Sequence, residues 1–113
     1  MSGRSGYSPV PGYTVIAEIW DTDSSRFTGY EWASIHVLRR DSDGRFVWFQ
    51  DSGCSCYYPF YDGEACIADF IELDRPDSPA FIEACMQVEN ATQRSEFMAK
   101  VRALFTGRDG VER

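Results

Sequence analysis

The order of patterns along the chain is the feature that most constrains its fold. The first half contains three runs rich in β-branched and aromatic residues, 13–20, 31–40 and 45–50, and the last third contains two amphipathic helical patterns. A run of strands followed by a run of helices favours an α+β architecture. We therefore predict an antiparallel β-meander of three to four strands, followed by two C-terminal helices packed on one face of the sheet.

The pairing of these strands is predicted from the turn between the second and third runs. The dipeptide Asp43-Gly44 is typical of a two-residue hairpin turn, because such a turn needs positive φ at both central positions. This register would place His36 opposite Asp51. In the first run, strict alternation predicts one face formed by Tyr13, Val15, Ala17 and Ile19.

The C-terminal third carries the signals of two helices. Ser78 is a good N-cap and Pro79 suits the first helical position. The second helix begins at Asn90 or Thr92, and Gly107 is its expected C-cap. The apolar stripe of the first helix is Phe81, Ile82, Cys85 and Val88, and that of the second is Phe97, Met98, Val101, Leu104 and Phe105. Residues 64–73 fit either a short strand or a helical turn.

The length of 113 residues predicts one domain. We expect a flexible N-terminal arm over residues 1–12, a domain over residues 13–107 and a short tail over residues 108–113. No apolar run approaches the length of a membrane span, and the N-terminus lacks the apolar core of a signal peptide. These features predict a cytoplasmic protein with reduced cysteines and no membrane partner.

The charge of the chain is negative and unevenly distributed. The net charge is −7, and residues 21–89 alone contain fourteen acidic and five basic side chains. Because nucleic-acid binding depends on cationic contacts to phosphate, direct binding of nucleic acid is not expected. The acidity indicates either a solvated surface or an acidic face that binds a basic partner. Mimicry of DNA by the carboxylates is a further alternative within the second interpretation.

Four cysteines raise the question of a metal site. Cys54 and Cys56 are one residue apart, whereas Cys66 and Cys85 are isolated, and Cys85 lies on the apolar stripe of a predicted helix. Zinc sites use four ligands that are often arranged as two close pairs, so a zinc site formed by Cys54, Cys56, Cys66 and Cys85 is kept as the alternative. Buried, reduced thiols and no cofactor are the favoured interpretation, because free Cys behaves as a small hydrophobic residue.

No catalytic set is evident in the sequence. His36 is the single histidine, and its predicted position near Asp51 makes a Cys–His–Asp grouping conceivable, although a hydrogen-bonded histidine on a strand is far more common. We therefore favour a protein that is not an enzyme. Four aromatic residues within a short segment cannot all point inward, so the segment predicts a binding rim. The rim comprises Tyr57, Tyr58, Phe60 and Tyr61.

The segment DSGCSC, followed by Pro59-Phe60, resembles a Gly-Cys-Ser-Cys-Pro-x-Pro-Phe segment of small uncharacterised proteins from actinobacteria and their tailed phages. Tyr57 departs from that pattern, since the family usually has proline there. The resemblance implies no activity, and it implies an actinobacterial or phage source. Arg accounts for ten of the eleven basic residues, which agrees with a GC-rich source.

These observations together predict a small acidic binding protein without enzymatic activity that engages a host protein in the host cytoplasm. The alternative is a small thiol- or zinc-dependent enzyme or sensor that uses the Cys54 and Cys56 segment.

Overall fold

The computed structural model describes residues 6–21, 31–54 and 59–111. Within these ranges the chain forms an antiparallel sheet of five strands that neighbour one another in chain order, followed by two helices. The predicted α+β meander is therefore confirmed, with five strands instead of three to four. The elements are β1 (Tyr7–Val10), β2 (Tyr13–Asp21), β3 (Glu31–Arg40), β4 (Phe46–Cys54), a 3-10 helix (Gly63–Asp69), β5 (Ile71–Glu72), α1 (Pro79–Met86) and α2 (Ala91–Val111).

The extra strands come from segments whose patterns were weak or ambiguous. β1 lies in the segment predicted to be a flexible arm, residues 1–12, and that prediction is wrong for residues 7–10, since Val10 pairs with Tyr13 and is buried. Residues 64–73, which fitted either a strand or a helical turn, contain both, namely most of the 3-10 helix and then β5.

The ends of the helices follow local capping chemistry only in part. Pro79 is the first residue of α1, but the Ser78 side chain makes no capping hydrogen bond. The Asn90 side chain accepts a hydrogen bond from the backbone N–H of Gln93 at 3.0 Å, so Asn90 caps α2. α2 continues through Gly107 to Val111, so the prediction of Gly107 as its C-cap is wrong. None of the helices in the described part of the chain is long and apolar enough to cross a membrane.

A β-bulge in β2 divides its apolar residues between the two faces of the sheet. Val15 pairs with Leu38, whereas Ala17 pairs with Val37, so Ile16 is the extra residue. The prediction that Tyr13, Val15, Ala17 and Ile19 share one face is therefore wrong. Ala17 and Ile19 face the helices, and Val15 faces the opposite side of the sheet.

Both faces of the sheet are buried as a result. One cluster lies between the sheet and the helices, and it contains every residue of the predicted α2 stripe. A second cluster lies on the other face, under the segment that carries the 3-10 helix. The helix-side cluster has a core of Ala17, Ile19, Ile35, Val37, Phe46, Trp48, Leu73, Phe81, Ala84, Cys85, Val88, Phe97 and Val101. The core of the second cluster is Val15, Leu38, Val47, Phe49, Phe60 and Cys66.

The hairpin between β3 and β4 has a four-residue loop instead of the predicted two-residue turn. The N–H of Arg40 donates to the carbonyl of Arg45 at 2.7 Å, and the N–H of Gly44 donates to the carbonyl of Arg40 at 2.7 Å. Gly44 has a φ of +76°, and Asp43 is not among the residues with positive φ. The register is shifted by two residues, which leaves the faces as predicted but places His36 opposite Phe49 instead of Asp51.

This loop predicts a specific response to substitution at Gly44. A Cβ added at Gly44 would meet no heavy atom within 4 Å, so any cost comes from the backbone alone. We expect Gly44→Ala to lower the free energy of unfolding by about 1–2 kcal/mol, because left-handed backbone is unfavourable for alanine. Gly44→Asn should cost clearly less, since asparagine tolerates this conformation. Urea denaturation of both variants tests this, and equal losses would contradict a left-handed residue 44.

Candidate functional site

The predicted aromatic rim is only partly a surface. Tyr57 and Tyr58 lie outside the described residues. Phe60 is buried, with 6% of its surface exposed, so its assignment to an exposed rim is wrong. Tyr61 is 52% exposed, as a rim residue would be.

Phe60 turns inward because its backbone is left-handed. Its φ is +66°, which is uncommon for any residue other than glycine and costs on the order of 1 kcal/mol. The Phe60 carbonyl accepts a hydrogen bond from the N–H of Gly63 at 2.9 Å, which closes a tight turn before the 3-10 helix. The Phe60 ring lies 4.8 Å from the His36 ring and 5.2 Å from the Phe49 ring, centroid to centroid. Burial of this ring offsets the backbone cost.

Residues 59–70 form a lobe on the face of the sheet opposite the helices. Phe60, Cys66 and Phe70 anchor it to the second cluster. Phe70 packs against Phe49 with ring centroids 5.2 Å apart and against Tyr13 at 5.0 Å. With its apolar side chains directed to the sheet, the lobe presents four large exposed side chains to solvent, namely Tyr61, Asp62, Glu64 and Asp69.

The charged side chains on the exposed side of the lobe are all acidic. Residues 51–74 contain six acidic side chains and neither Lys nor Arg. Within the described ranges, the salt bridges involve carboxylates elsewhere, such as Glu72 with Arg40 at 3.3 Å and Asp77 with Arg75 at 3.4 Å. Asp62, Glu64 and Asp69 form no ion pair with the described cations. The lobe is therefore a source of negative potential beside an exposed tyrosine.

The polar side chains of Tyr7, Glu18 and His36 meet beneath the lobe. Nε2 of His36 is 3.1 Å from Oε1 of Glu18, and the hydroxyl of Tyr7 donates to the same oxygen at 2.5 Å. His36 is completely buried, and Glu18 is 7% exposed. These three residues lie on neighbouring strands β1, β2 and β3, and Glu18 is directly opposite His36 in the register.

Glu18 and His36 are in contact without the geometry of a hydrogen bond. The Nε2 atom of His36 is within ion-pair distance of the carboxylate, and no other described atom bonds to either ring nitrogen. His36 has no exposed surface, and its contacts with Glu18, together with those of Tyr7, link the three strands β1, β2 and β3.

The structure separates two of the four cysteines. Cys66 belongs to the cluster under the lobe, and Cys85 belongs to the cluster under the helices, on opposite faces of the sheet. It therefore does not bring Cys66 and Cys85 together as ligands of one ion. Cys54 ends β4, and Cys56 lies outside the described residues. Among the residues that the structure describes, no three His, Cys, Asp or Glu side chains form a metal-binding group.

Burial makes the two described thiols weak nucleophiles. Desolvation raises the pKa of Cys85 to about 12, and desolvation also raises the pKa of Cys66, which the nearby Asp51, Asp62 and Asp69 raise further. Since the thiolate is the reactive form, both thiols are protonated at neutral pH and unreactive.

Comparison with known proteins adds no assignment. The chain matches no family model, no curated protein and no solved structure. The functional interpretation therefore rests on the geometry and charge of the chain itself.

The first prediction from this site concerns the buried carboxylate. Glu18→Ala removes the partner of a buried histidine and of the Tyr7 hydroxyl, so we expect it to lower the free energy of unfolding by about 3 kcal/mol. Glu18→Gln keeps an acceptor and should cost less. Glu83→Ala, on the exposed side of α1, is the matched control and should change stability by less than about 0.5 kcal/mol. Similar losses for Glu18→Ala and Glu83→Ala in urea denaturation would contradict the buried contact.

The second prediction concerns the Cys85 thiol. The pKa of Cys85 is raised from 9.0 to about 12 in the folded protein, so the folded state holds this proton more tightly than the unfolded chain. The resulting stabilisation is complete below pH 9.0 and is lost as the pH rises towards 12. We expect the free energy of unfolding to fall over this interval more steeply for the native chain than for Cys85→Ala. Parallel pH profiles would show that Cys85 is not desolvated.

Proposed function

We propose that this chain is a small acidic binding protein without enzymatic activity, and that the lobe at residues 59–70 binds a basic surface of a partner protein. The observation that carries the proposal is the exposed side of the lobe, where Tyr61 and three carboxylates without described ion pairs are exposed. In keeping with the resemblance of its cysteine segment, the chain acts as a phage-encoded or phage-derived accessory protein, and the partner is a host protein.

Electrostatics supports a basic partner. Carboxylates that have no cation nearby keep their full potential at the surface, and complementary charge accelerates association and excludes acidic competitors. The same charge opposes contact with nucleic acid, whose phosphates would be repelled. The exposed Asp62, Glu64 and Asp69 thus favour a partner surface rich in Lys or Arg.

Tyr61 supports a contact role for the same surface. A tyrosine that is 52% exposed leaves apolar area in water, and tyrosines are enriched at the energetic centres of interfaces. The carboxylates and the ring together therefore suit one basic surface.

The thiol- or zinc-dependent alternative depends on Cys54 and Cys56. Cys66 and Cys85 contribute little to it, because both are buried and lie on opposite faces of the sheet. No observation within the described residues favours this alternative over binding.

The proposal is tested by capture from an actinobacterial lysate with quantitative mass spectrometry. The lobe variants are Tyr61→Ala and the double variant Asp62→Asn with Glu64→Gln. We expect each to reduce capture of a specific protein at least tenfold, while the fold is retained because all three side chains are exposed. The capture should also weaken as salt is raised.

Matched controls separate the lobe from general charge and hydrophobicity. Met86→Ala removes another exposed apolar side chain, and Glu83→Gln with Glu96→Gln changes the net charge by the same amount. Both controls should capture the partner as the native chain does. Equal capture by the lobe and control variants would refute the role of the lobe. Rapid alkylation of Cys54 or Cys56, without specific capture, would favour the thiol alternative.

A further inference from the structure

The outer edge of β4 is only partly covered by the sheet. β3 pairs with β4 along its whole length, from Phe46 to Cys54, whereas β5 pairs only with Val47 and Trp48 on the other side. Within the described residues, no strand continues the sheet beyond Trp48 on that side. The second half of β4 therefore has a neighbouring strand on one side alone.

The hairpin fixes the direction in which the backbone groups of β4 point. The N–H of Arg40 in β3 donates to the carbonyl of Arg45 at 2.7 Å, whereas the carbonyl of Phe46 accepts a hydrogen bond from the N–H of Leu73 at 2.9 Å. The carbonyl of Phe46 thus points away from β3, towards the side on which β5 lies. Because backbone groups alternate between the two sides of a strand, the even-numbered residues of β4 point outward and the odd-numbered ones bond to β3.

Gln50 is the outward-pointing residue at the centre of the uncovered stretch. Its backbone N–H and carbonyl point to the position that an added strand would occupy, beyond the end of β5. The next outward N–H, that of Ser52, donates to Oδ1 of Asp51 at 2.8 Å and is already used. An added strand can therefore exchange two backbone hydrogen bonds with Gln50 and donate a third to the carbonyl of Ser52.

The charge around this edge is negative. Residues 46–74 contain six acidic side chains and neither Lys nor Arg. Asp51 lies in the uncovered stretch itself, and the described salt bridges involve other carboxylates. Arg45, just before the other end of β4, pairs with Asp43. An edge of this kind repels an acidic strand and attracts a basic one.

We propose that the open edge of β4 binds an extended, basic segment of a partner protein as an added strand. One residue of the segment exchanges hydrogen bonds with Gln50, and a neighbouring Lys or Arg lies opposite Asp51. The backbone bonds supply affinity, and the carboxylate selects the charge. A second copy of this chain suits the edge less well, because both edges would carry the same negative charge. The inference rests on the proposed function only for the basic character of the partner.

The register assigns the two faces of the added strand. Gln50 points to the helix side of the sheet, as Trp48 does, and Asp51 points to the lobe side, as Phe49 does. Residues that pair across two strands point to the same face, so the residue that bonds to Gln50 also points to the helix side. In a segment that alternates Lys with Val, the valines therefore bond to β4 and the lysines lie on the side of Asp51.

The probe is the peptide acetyl-Thr-Lys-Val-Lys-Val-Lys-Thr-amide, added to the full-length protein and followed by NMR hydrogen exchange of the backbone amides. In the protein alone, the Gln50 amide should exchange faster than those of Phe49 and Asp51, which bond to β3. Bound peptide should slow exchange at Gln50 by about tenfold or more and leave Phe49 and Asp51 unchanged. The same peptide with Glu in place of Lys should give no protection.

Two N-methylated peptides separate strand addition from the attraction of charge alone. N-methylation of both valines removes N–H groups that face β4, so it should abolish the protection of Gln50. N-methylation of the lysines keeps the charge and removes only N–H groups that point away from β4, so the protection should remain. Because these changes are made in the peptide, the comparison does not depend on the folding of a protein variant.

Protein variants assign the binding to β4, with the affinity measured by fluorescence anisotropy of a labelled peptide. Gln50→Pro removes an outward N–H and leaves the bonds to β3 in place, so it should abolish binding. Asp51→Asn keeps an acceptor for the Ser52 N–H and should weaken binding by about threefold or more. Asp41→Asn, at the hairpin, changes the net charge equally and should leave the affinity unchanged.

The lobe and the edge can fail separately. The lobe variant Asp62→Asn with Glu64→Gln should still bind the peptide, with the same protection of Gln50. Peptide binding without capture of a specific protein from the lysate would refute the lobe proposal alone. Capture that depends on the lobe, without any protection of Gln50 by the peptide, would refute the edge proposal alone.

Other results would also overturn the inference. Equal protection of Gln50 by the peptide with methylated valines would refute strand addition, and equal protection by the glutamate peptide would refute selection of a basic segment. A Gln50 amide that exchanges as slowly as that of Phe49 without peptide would show that the edge is already covered. The cover would be a second copy if the protection rises with protein concentration, and the chain itself if it does not.

Discussion

Burial of both faces of the central sheet is the constraint on which the rest of the structure depends. The helices cover one face and the lobe covers the other, so β2, β3 and β4 must carry apolar side chains in both directions. In β2 the bulge at Ile16 satisfies this requirement, because it directs Val15 to the lobe and Ala17 to the helices. Without the bulge, Val15 and Ala17 would lie on the same face of the sheet. Glu18 would then move to the other face and lose its position opposite His36.

The contact between Glu18 and His36 is a consequence of this arrangement. Two polar side chains at the centre of a buried sheet are costly to desolvate, and they are tolerated because each finds a partner on the adjacent strand. Tyr7 adds the edge strand β1 to the same carboxylate. The contact therefore specifies the register in which the strands pair. A slip of β1 or β2 by one residue would leave a buried polar side chain without its partner. An apolar core at this position would instead accept several registers.

Sequence patterns predicted the architecture well, because strand runs and helical stripes are local signals. The stripe from Phe97 to Phe105 packs as expected. The hairpin illustrates the limit: the loop was misjudged, yet the faces were correct, because a shift of two residues preserves the alternation of side chains. The bulge, the left-handed Phe60 and the partner of His36 were missed, because each depends on contacts distant in sequence. An acidic residue within the apolar run of β2 was the one signal that pointed to a buried partner for Glu18.

The distribution of chemistry over the molecule also argues for surface recognition. His36 and the thiols of Cys66 and Cys85, groups that commonly perform catalysis, lie inside the two cores, and burial raises the pKa values of both thiols. Among the described residues, carboxylates, amides, hydroxyls, several basic side chains and Tyr61 remain in contact with water. On the lobe the carboxylates face bulk solvent, so their attraction for a cation is long in range and sensitive to salt.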